Sequence, residues 1–559
     1  MYRLALFLIL CSVWAEAQFK LKENQAVFIT YETLNHDKIQ ENDNSTLLIS
    51  NESSAILTTL NDYEGKSDFP FEGKWILQDE SKVLKGFILN ENEGFFTEDS
   101  TDIAKQPFEF LAESKIILGY KCNLAKTIIN SNTIELWYVK DSNVKGSPYI
   151  LGQNLGLVLE ITRNNNYTIR AKKISAKKVN FPDYLKKIQF KKVDKLTLND
   201  KIWKSKFITI PIFQKQQIHF SEEFTARENV MRFANGTIVV KKMKIPLFGS
   251  SDKLFIDLTE QSNGDAYDRT GSIFLIPTDK KQSFLEGLEK GAKSLPVYNN
   301  GNGKEYQGVV ATKNYSPLVE LMRFFTPFGV HHFNDRFTLK DKAWQDSAFY
   351  RQDITDYAKF FNGKEVYIGV FIGNYDKGGH QISLNLTIHK ETSVKANPTK
   401  IIPLFNTLNV MEMAGQNYGT MFNSGNGLQI EFELKESLRS AKLRYTTTGH
   451  GGWENGDEFV PKKNSILLNG KAIFDVTPWR EDCGSYRLYN PVSGNFSNGL
   501  SSSDYSRSNW CPGMVTNPYF IELGDLTAGK HIIQVIIPQG EPEGTSFSAW
   551  NVSGVLVGD

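Results

Sequence analysis

Two segments of this chain alternate apolar and polar residues without a break: Ile382-Ser-Leu-Asn-Leu-Thr-Ile388 and Leu428-Gln-Ile-Glu-Phe-Glu-Leu434. Successive side chains of a strand point to opposite faces. Such a segment buries one face and wets the other, as a sandwich strand does. Ser272–Pro277 and His531–Pro538 read as further strands, buried ones. Helical pattern is confined to Phe181–Phe190 and Lys280–Gly291. With 38 Phe, 22 Tyr and turns punctuated by 42 Gly, the chain reads as all-β.

At 559 residues it exceeds what one core supports, and three domains are expected. The boundaries fall near residue 200, where the lysine-rich stretch Lys172 to Lys206 closes a first domain (18–200), and near Glu391–Pro403, where alternation stops, giving domains 201–391 and 392–559. Residues 1–17 read as an export signal. Arg3 is its positive start, Leu4 to Val13 is apolar but too short to span a bilayer, and Ala15-Glu16-Ala17 is the cleavage site. The mature chain is expected to be a bacterial exported protein, extracellular or periplasmic, and a monomer.

The 64 Lys and Arg against 63 Asp and Glu give no reason to expect a nucleic-acid or membrane partner. The aromatics of the lysine-rich stretch (Phe181, Tyr184, Phe190, Trp203) are too irregularly spaced for a base-stacking platform. Beyond Cys11 in the signal, three cysteines remain. An oxidising compartment permits one bridge. The pair closest in sequence is Cys483 with Cys511, and closing that loop stabilises by roughly 3–4 kcal/mol. Cys122 is left as a small apolar residue.

Two resemblances add to this reading. Leu118-Gly-Tyr-Lys-Cys-Asn-Leu-Ala125, Ile134-Glu-Leu-Trp-Tyr-Val139 and Gly146-Ser-Pro-Tyr-Ile-Leu-Gly152 follow the order of the small exported β-domains of the GLPGLI family, over residues 20–175. From about residue 205 onward three motifs resemble the peptide-N-glycosidase F family, in its order: Gly264-Asp-Ala-Tyr-Asp-Arg269; Leu443-Arg-Tyr-Thr-Thr-Thr-Gly-His450 with Gly456-Asp-Glu-Phe459; and Asn509-Trp-Cys-Pro-Gly-Met514 preceded by Arg507.

The second resemblance implies two side-by-side, eight-stranded antiparallel jelly rolls. It implies hydrolysis of the amide joining the first N-acetylglucosamine to asparagine in N-glycosylated proteins and glycopeptides. The site must activate water, steady an oxyanion and protonate nitrogen, and it needs no metal or cofactor. Asp268 matches the family's essential aspartate, the base for water. Glu458 matches a second carboxylate, so the site sits where the jelly rolls meet. Arg269 and Arg507 are placed as substrate-binding or charge-pairing residues. Trp510 is a ring for a sugar face or for the disulfide, or a core ring wedged by Cys511-Pro512, and His450 is a turn residue that either bonds the glycan or has no ligand. Short cysteine loops that the family's best-known member carries beside both carboxylates are missing here, at Gly264-Asp265 and Gly456–Val460, so packing must hold those loops. A third acidic residue of that member is also missing. Reading back from Lys377-Gly378 puts Ile372 or Gly373 in its place, and the wider subsite would accept an α1,3-fucose on the first sugar.

Other constellations carry less. His331-His332 would point to opposite faces of a strand, and the remaining histidines are scattered, against a copper enzyme of paired jelly rolls. Ser501–Ser503 lacks a nucleophile elbow and reads as a loop. A non-catalytic glycan-binding sandwich remains the second class. It would need aromatic and amide contacts but no water-activating carboxylate.

Overall fold

The computed structural model describes residues 19–559 except positions 20, 23, 417 and 424 and the stretches 41–43, 78–81, 100–105, 181–186, 224–228, 392–395, 452–454 and 542–547. The export signal and the first half of the expected Phe181–Phe190 helix lie outside the described residues, as does part of the Glu391–Pro403 boundary. Among the described residues no helix is long and apolar enough to cross a membrane.

The chain divides into two compact units, 1–206 and 207–559. Unit one is a 13-stranded sheet in which two meanders are joined side by side by pairing of Gln25–Asn35 with Tyr167–Lys178. Val27, Ile29 and Tyr31 of the first strand share a core with Leu157, Leu159 and Cys122. The sheet is antiparallel except where Gln189–Lys192 runs parallel to Glu93–Phe96. This strand takes the place of the end of the expected helix. A helix does form just after it, Lys195–Ser205, capped by Asp194 accepting from the Thr197 amide at 3.0 Å and buried through Leu198 against Phe87 and Phe95. Cys122 is free and buried, and burial pushes its thiol up to about 12.

Unit two is all β-sandwich. Its first sandwich sets a four-stranded sheet (Phe207–Ile218, His380–His389, Lys253–Ser262, Ala348–Asp353) against a six-stranded one that includes Thr270–Ile276, Val319–Phe325 and Glu365–Ile372. Ile256, Leu258, Ile273, Leu275, Leu384 and Leu386 fill the space between them. The second pairs Lys400–Asn406, Ala549–Gly558, Leu438–His450 and Tyr519–Leu526 with Leu428–Leu434, Gly529–Ile536, Asn464–Leu468 and Lys471–Val476. Its alternating strand is buried and exposed by turns as the pattern requires, with Leu428, Ile430, Phe432 and Leu434 inside. The helix expected in Lys280–Gly291 is shorter, Phe284–Lys290.

The two sandwiches are stitched together. Val515-Thr516, from the second half of the unit, pairs with Phe324 and Arg323 of the first sandwich. Val555 and Val557 pack into the first core. Arg323 is wholly buried. It forks onto Glu320 at 3.0 and 2.7 Å and donates through Nη1 to Thr448 Oγ1 (3.1 Å) and the Asn551 carbonyl (2.6 Å), both in the second sandwich. Ser272 and Ser553 donate to the remaining Glu320 lone pairs. Every charge is matched and bonded, the condition under which a buried pair is tolerated. Removing one partner alone is different. Arg323→Met leaves Glu320 buried and unpaired, and the unfolding free energy should fall by about 3–5 kcal/mol in a denaturant titration. Adding Glu320→Gln should restore most of that loss.

Candidate active site

Asp268 lies in the turn between Lys253–Ser262 and Thr270–Ile276. The turn opens with Gly264 at φ +149°, where a side chain would be strained and its Cβ would come within 2.8 Å of the Asp376 carboxylate. Asp376 is itself fixed, accepting from the Gly378 and Gly379 amides at 2.7 and 2.8 Å. Glu458 comes from the other sandwich, in the loop after Leu438–His450; its amide donates to the Gly451 carbonyl and its own carbonyl accepts from Ser508.

The two carboxylates meet on one cation. Arg507 is 1% exposed, and its Nη1 donates both to Asp268 Oδ2 at 3.1 Å and to Glu458 Oε1. Nη2 donates to the carbonyl and hydroxyl of Ser502. The guanidinium lies over Trp510 (4.3 Å) and Phe459 (5.0 Å). Its backbone is bridged in both directions to Arg480, and Cys483 is bonded to Cys511 four residues beyond it. Asn509 sits at φ +67°, a left-handed conformation asparagine tolerates, with its side chain bonded to the Thr447 carbonyl.

Burial raises the Asp268 carboxyl; Arg507 opposes that and Glu458 adds to it, and the group ends at about 7. Glu458 is also raised by burial, against the pull of Arg507. Burial thus raises both carboxylates while one cation, Arg507, holds the pair together. Beside it opens a cleft of about 190 Å³ lined by Asp268, Arg269, Gly373, Asn409, Glu412 and Tyr418.

Residues 209–388 match the sequence family described as peptide-N-glycosidase F, N terminal, and residues 417–557 its C-terminal counterpart. The chain belongs to the peptide-N-glycosidase F family. Residues 29–200 match a family described as N-glycanase peptide, N-terminal domain. Two solved structures of PNGF-II are each 53% identical over 96% of this chain, spanning 99% and 98% of theirs, with TM-scores of 0.87 and 0.81. Among curated proteins none matches.

For a member of the peptide-N-glycosidase F family, the structure brings Asp268, Glu458 and Arg507 together and gives other residues different places from those expected. Trp510 is 4% exposed, stacked on Phe325 at 4.3 Å and donating to the Gly449 carbonyl. It supports Arg507 and offers no open face to a sugar. The exposed rings near the cleft are Tyr267 and Tyr375, 62% and 57% exposed, which flank the Arg269 guanidinium at 5.0 and 5.8 Å. His450 ends a strand instead of lying in a turn. Burial, with Arg323 and Arg507 nearby, drives its imidazole down to about 3, so it is neutral, paired to Thr448. Arg269 chelates Asp265 and not Asp268, at 2.7 and 3.1 Å. Of the two positions nominated for the missing acid, Ile372 is buried in the core and Gly373 faces the cleft. A third carboxylate is nonetheless present, Glu412, supplied by the turn Glu412–Ala414 of a different segment.

Asp265, Glu260 and His380 have no role in the sequence reading; Asp265, in the turn, carries no periodic signal, but that of Glu260 and His380 is in the strand pattern. Lys253–Ser262 buries every second residue: Leu254, Ile256, Leu258 and then Glu260. Extending the alternation of Ile382–Ile388 back by two residues puts His380 on the same inward face. A charge at a core position of each of two paired strands points to a buried ion pair.

A carboxylate raised on folding works against stability. The folded chain holds the Asp268 proton up to about pH 7 and the unfolded chain releases it near 3.8, so stability falls as pH rises through that window. Asp268→Asn removes this dependence. The variant should melt higher than the parent at pH 8, by on the order of 2 kcal/mol in stability, and the gain should shrink toward pH 5. Thermal melts across that range check both sign and trend.

Proposed function

We propose that unit two hydrolyses the amide between an asparagine side chain and the first N-acetylglucosamine of an N-glycan. The observation that carries this is the meeting of Asp268 and Glu458, one from each sandwich, on the single buried cation Arg507 beside a cleft. Asp268 takes a proton from water as its oxygen attacks the amide carbon. Glu458 returns a proton to the nitrogen as the C–N bond breaks. The products are an aspartate and a glycosylamine, which loses ammonia in water. Two carboxylates held by one arginine can occupy opposite protonation states at neutral pH, as this exchange requires. Arg269 presents its guanidinium to the cleft and binds the sugar's acetamido group.

The substrates are N-glycosylated proteins and glycopeptides. The 1–17 leader exports the chain, which acts as a secreted monomer. Residues 18–200 serve an accessory role, since every residue given a part in the chemistry lies after position 260.

The test is mass spectrometry of a glycopeptide incubated with the protein. Release with a gain of about one dalton at the freed asparagine marks an amidase; an intact glycopeptide marks a glycan-binding protein. Asp268→Asn should lower kcat by on the order of 10²-fold or more, and Glu458→Gln by a smaller factor, with both proteins folded. Because position 373 of the cleft lining is a glycine and carries no acidic side chain, a glycopeptide bearing an α1,3-fucose on the first sugar should also be cleaved, and Gly373→Glu should abolish only that reaction.

A further inference from the structure

Beneath the cleft runs a line of four alternating charges. Glu260 Oε1 is 2.7 Å from His380 Nδ1, and His380 Nε2 is 3.3 Å from Asp265 Oδ2. Asp265 then accepts from Arg269 Nε at 2.7 Å and Nη2 at 3.1 Å. Glu260 and His380 are wholly buried, Asp265 is 2% exposed, and only the Arg269 side chain reaches solvent. The antiparallel register, Ser262 opposite His380 and Glu260 opposite Ile382, makes Glu260 and His380 diagonal neighbours on one inward face. Asp265 is held further by donation from the Tyr267 amide, 3.1 Å away.

Arg269 engages Asp265 through two of its nitrogens. Among the described residues Nη1 has no protein acceptor, and the guanidinium plane is flanked by Tyr267 and Tyr375. A bidentate clamp fixes that plane, and with it the direction of Nη1. The clamp needs Asp265 ionised and unrotated. Burial works against that, and the imidazole on its far side works for it.

We propose that His380 is a positioning residue: from the core, through Asp265, it holds Arg269 in the one orientation that presents Nη1 to the substrate. The inference rests on the amidase reading, in which Arg269 binds the sugar's acetamido oxygen. Burial would lower the His380 imidazole, but its bonds to Asp265 and Glu260 prevail and lift it to about 9, so it is cationic at neutral pH. The line is then neutral overall, two carboxylates against two cations. Without the imidazolium, two buried carboxylates share one arginine. Asp265 takes up a proton, stops accepting from both guanidinium nitrogens, and Arg269 is free to turn.

The experiment is a double-mutant cycle on the full-length protein, with glycan release from a glycopeptide as the assay. His380→Gln should raise KM about tenfold with kcat within about threefold of the parent, the mark of lost substrate binding. Arg269→Ala should raise KM as well, and adding His380→Gln to it should change KM by less than about twofold, since the link it acts through is gone. A purely structural histidine would lower the melting temperature and the active fraction in both backgrounds and leave KM alone. An unchanged KM in folded His380→Gln, or an equal rise in both backgrounds, overturns the proposal. If His380→Gln does not fold, Glu260→Gln loosens the same chain from its far end. It should raise KM by a smaller factor in the parent and not at all beside Arg269→Ala, and no rise in the parent overturns the proposal equally. Failure of the parent protein to release glycan would instead sink the amidase reading and leave the positioning of Arg269 to be read by chitobiose binding in the same four proteins, with the same pattern expected in Kd.

Discussion

A guanidinium cannot be stripped of water and left alone, and Arg507 is stripped of nearly all of it. Much of unit two can be read as what that one group requires. Its charge is answered by Asp268 from one sandwich and Glu458 from the other, its second nitrogen by Ser502, and its faces by Trp510 and Phe459. The carboxylates are in turn half-buried by the same neighbours, and that burial raises them toward neutrality. The reactivity of the pair and the packing of the sandwiches therefore have a single physical origin. The Arg323–Glu320 fork deeper in the junction is the same solution without the opening to solvent.

The two loops that carry the carboxylates have no cysteines to hold them, and each is held by a buried acid one to three residues before Asp268 or Glu458. At the first loop Asp265 is bonded by Arg269 and His380. At the second Asp457, fully buried next to Glu458, accepts from the Trp550 indole at 2.7 Å and the Gly540 amide at 3.0 Å. A disulfide constrains a loop mostly through the unfolded chain. A buried carboxylate constrains it through the folded one, by making any movement of the loop expose an unpaired charge.

What could be read in the sequence follows from the range of each interaction. Leu428–Leu434 was legible residue by residue because strand alternation is local, and Ile382–Ile388 needed only extension to His380–His389. The motif around Asn509 to Gly513 was legible as a motif but not as a geometry. Nothing local says that the Trp510 ring is covered by Phe325, almost two hundred residues earlier. Helix Lys195–Ser205 was hidden because it buries little beyond Leu198 and its remaining faces merge with a lysine-rich run. Glu412 was out of reach altogether: a lone acid in an irregular turn carries no periodic signal, and only the folded chain brings it to the cleft.

The short pairing of Val515-Thr516 with Arg323 and Phe324 has a bearing on when this molecule becomes an enzyme. A chain made from its N-terminus completes all but one strand of the first sandwich long before residue 507 exists. Until then Asp268 stands without its cation, and the sheet beside it has an open edge. Closing that edge and delivering Arg507 are done by one stretch of chain, residues 507–516. Assembly of the site thus waits for that stretch, so a chain interrupted before it carries Asp268 but not the cation that pairs with it.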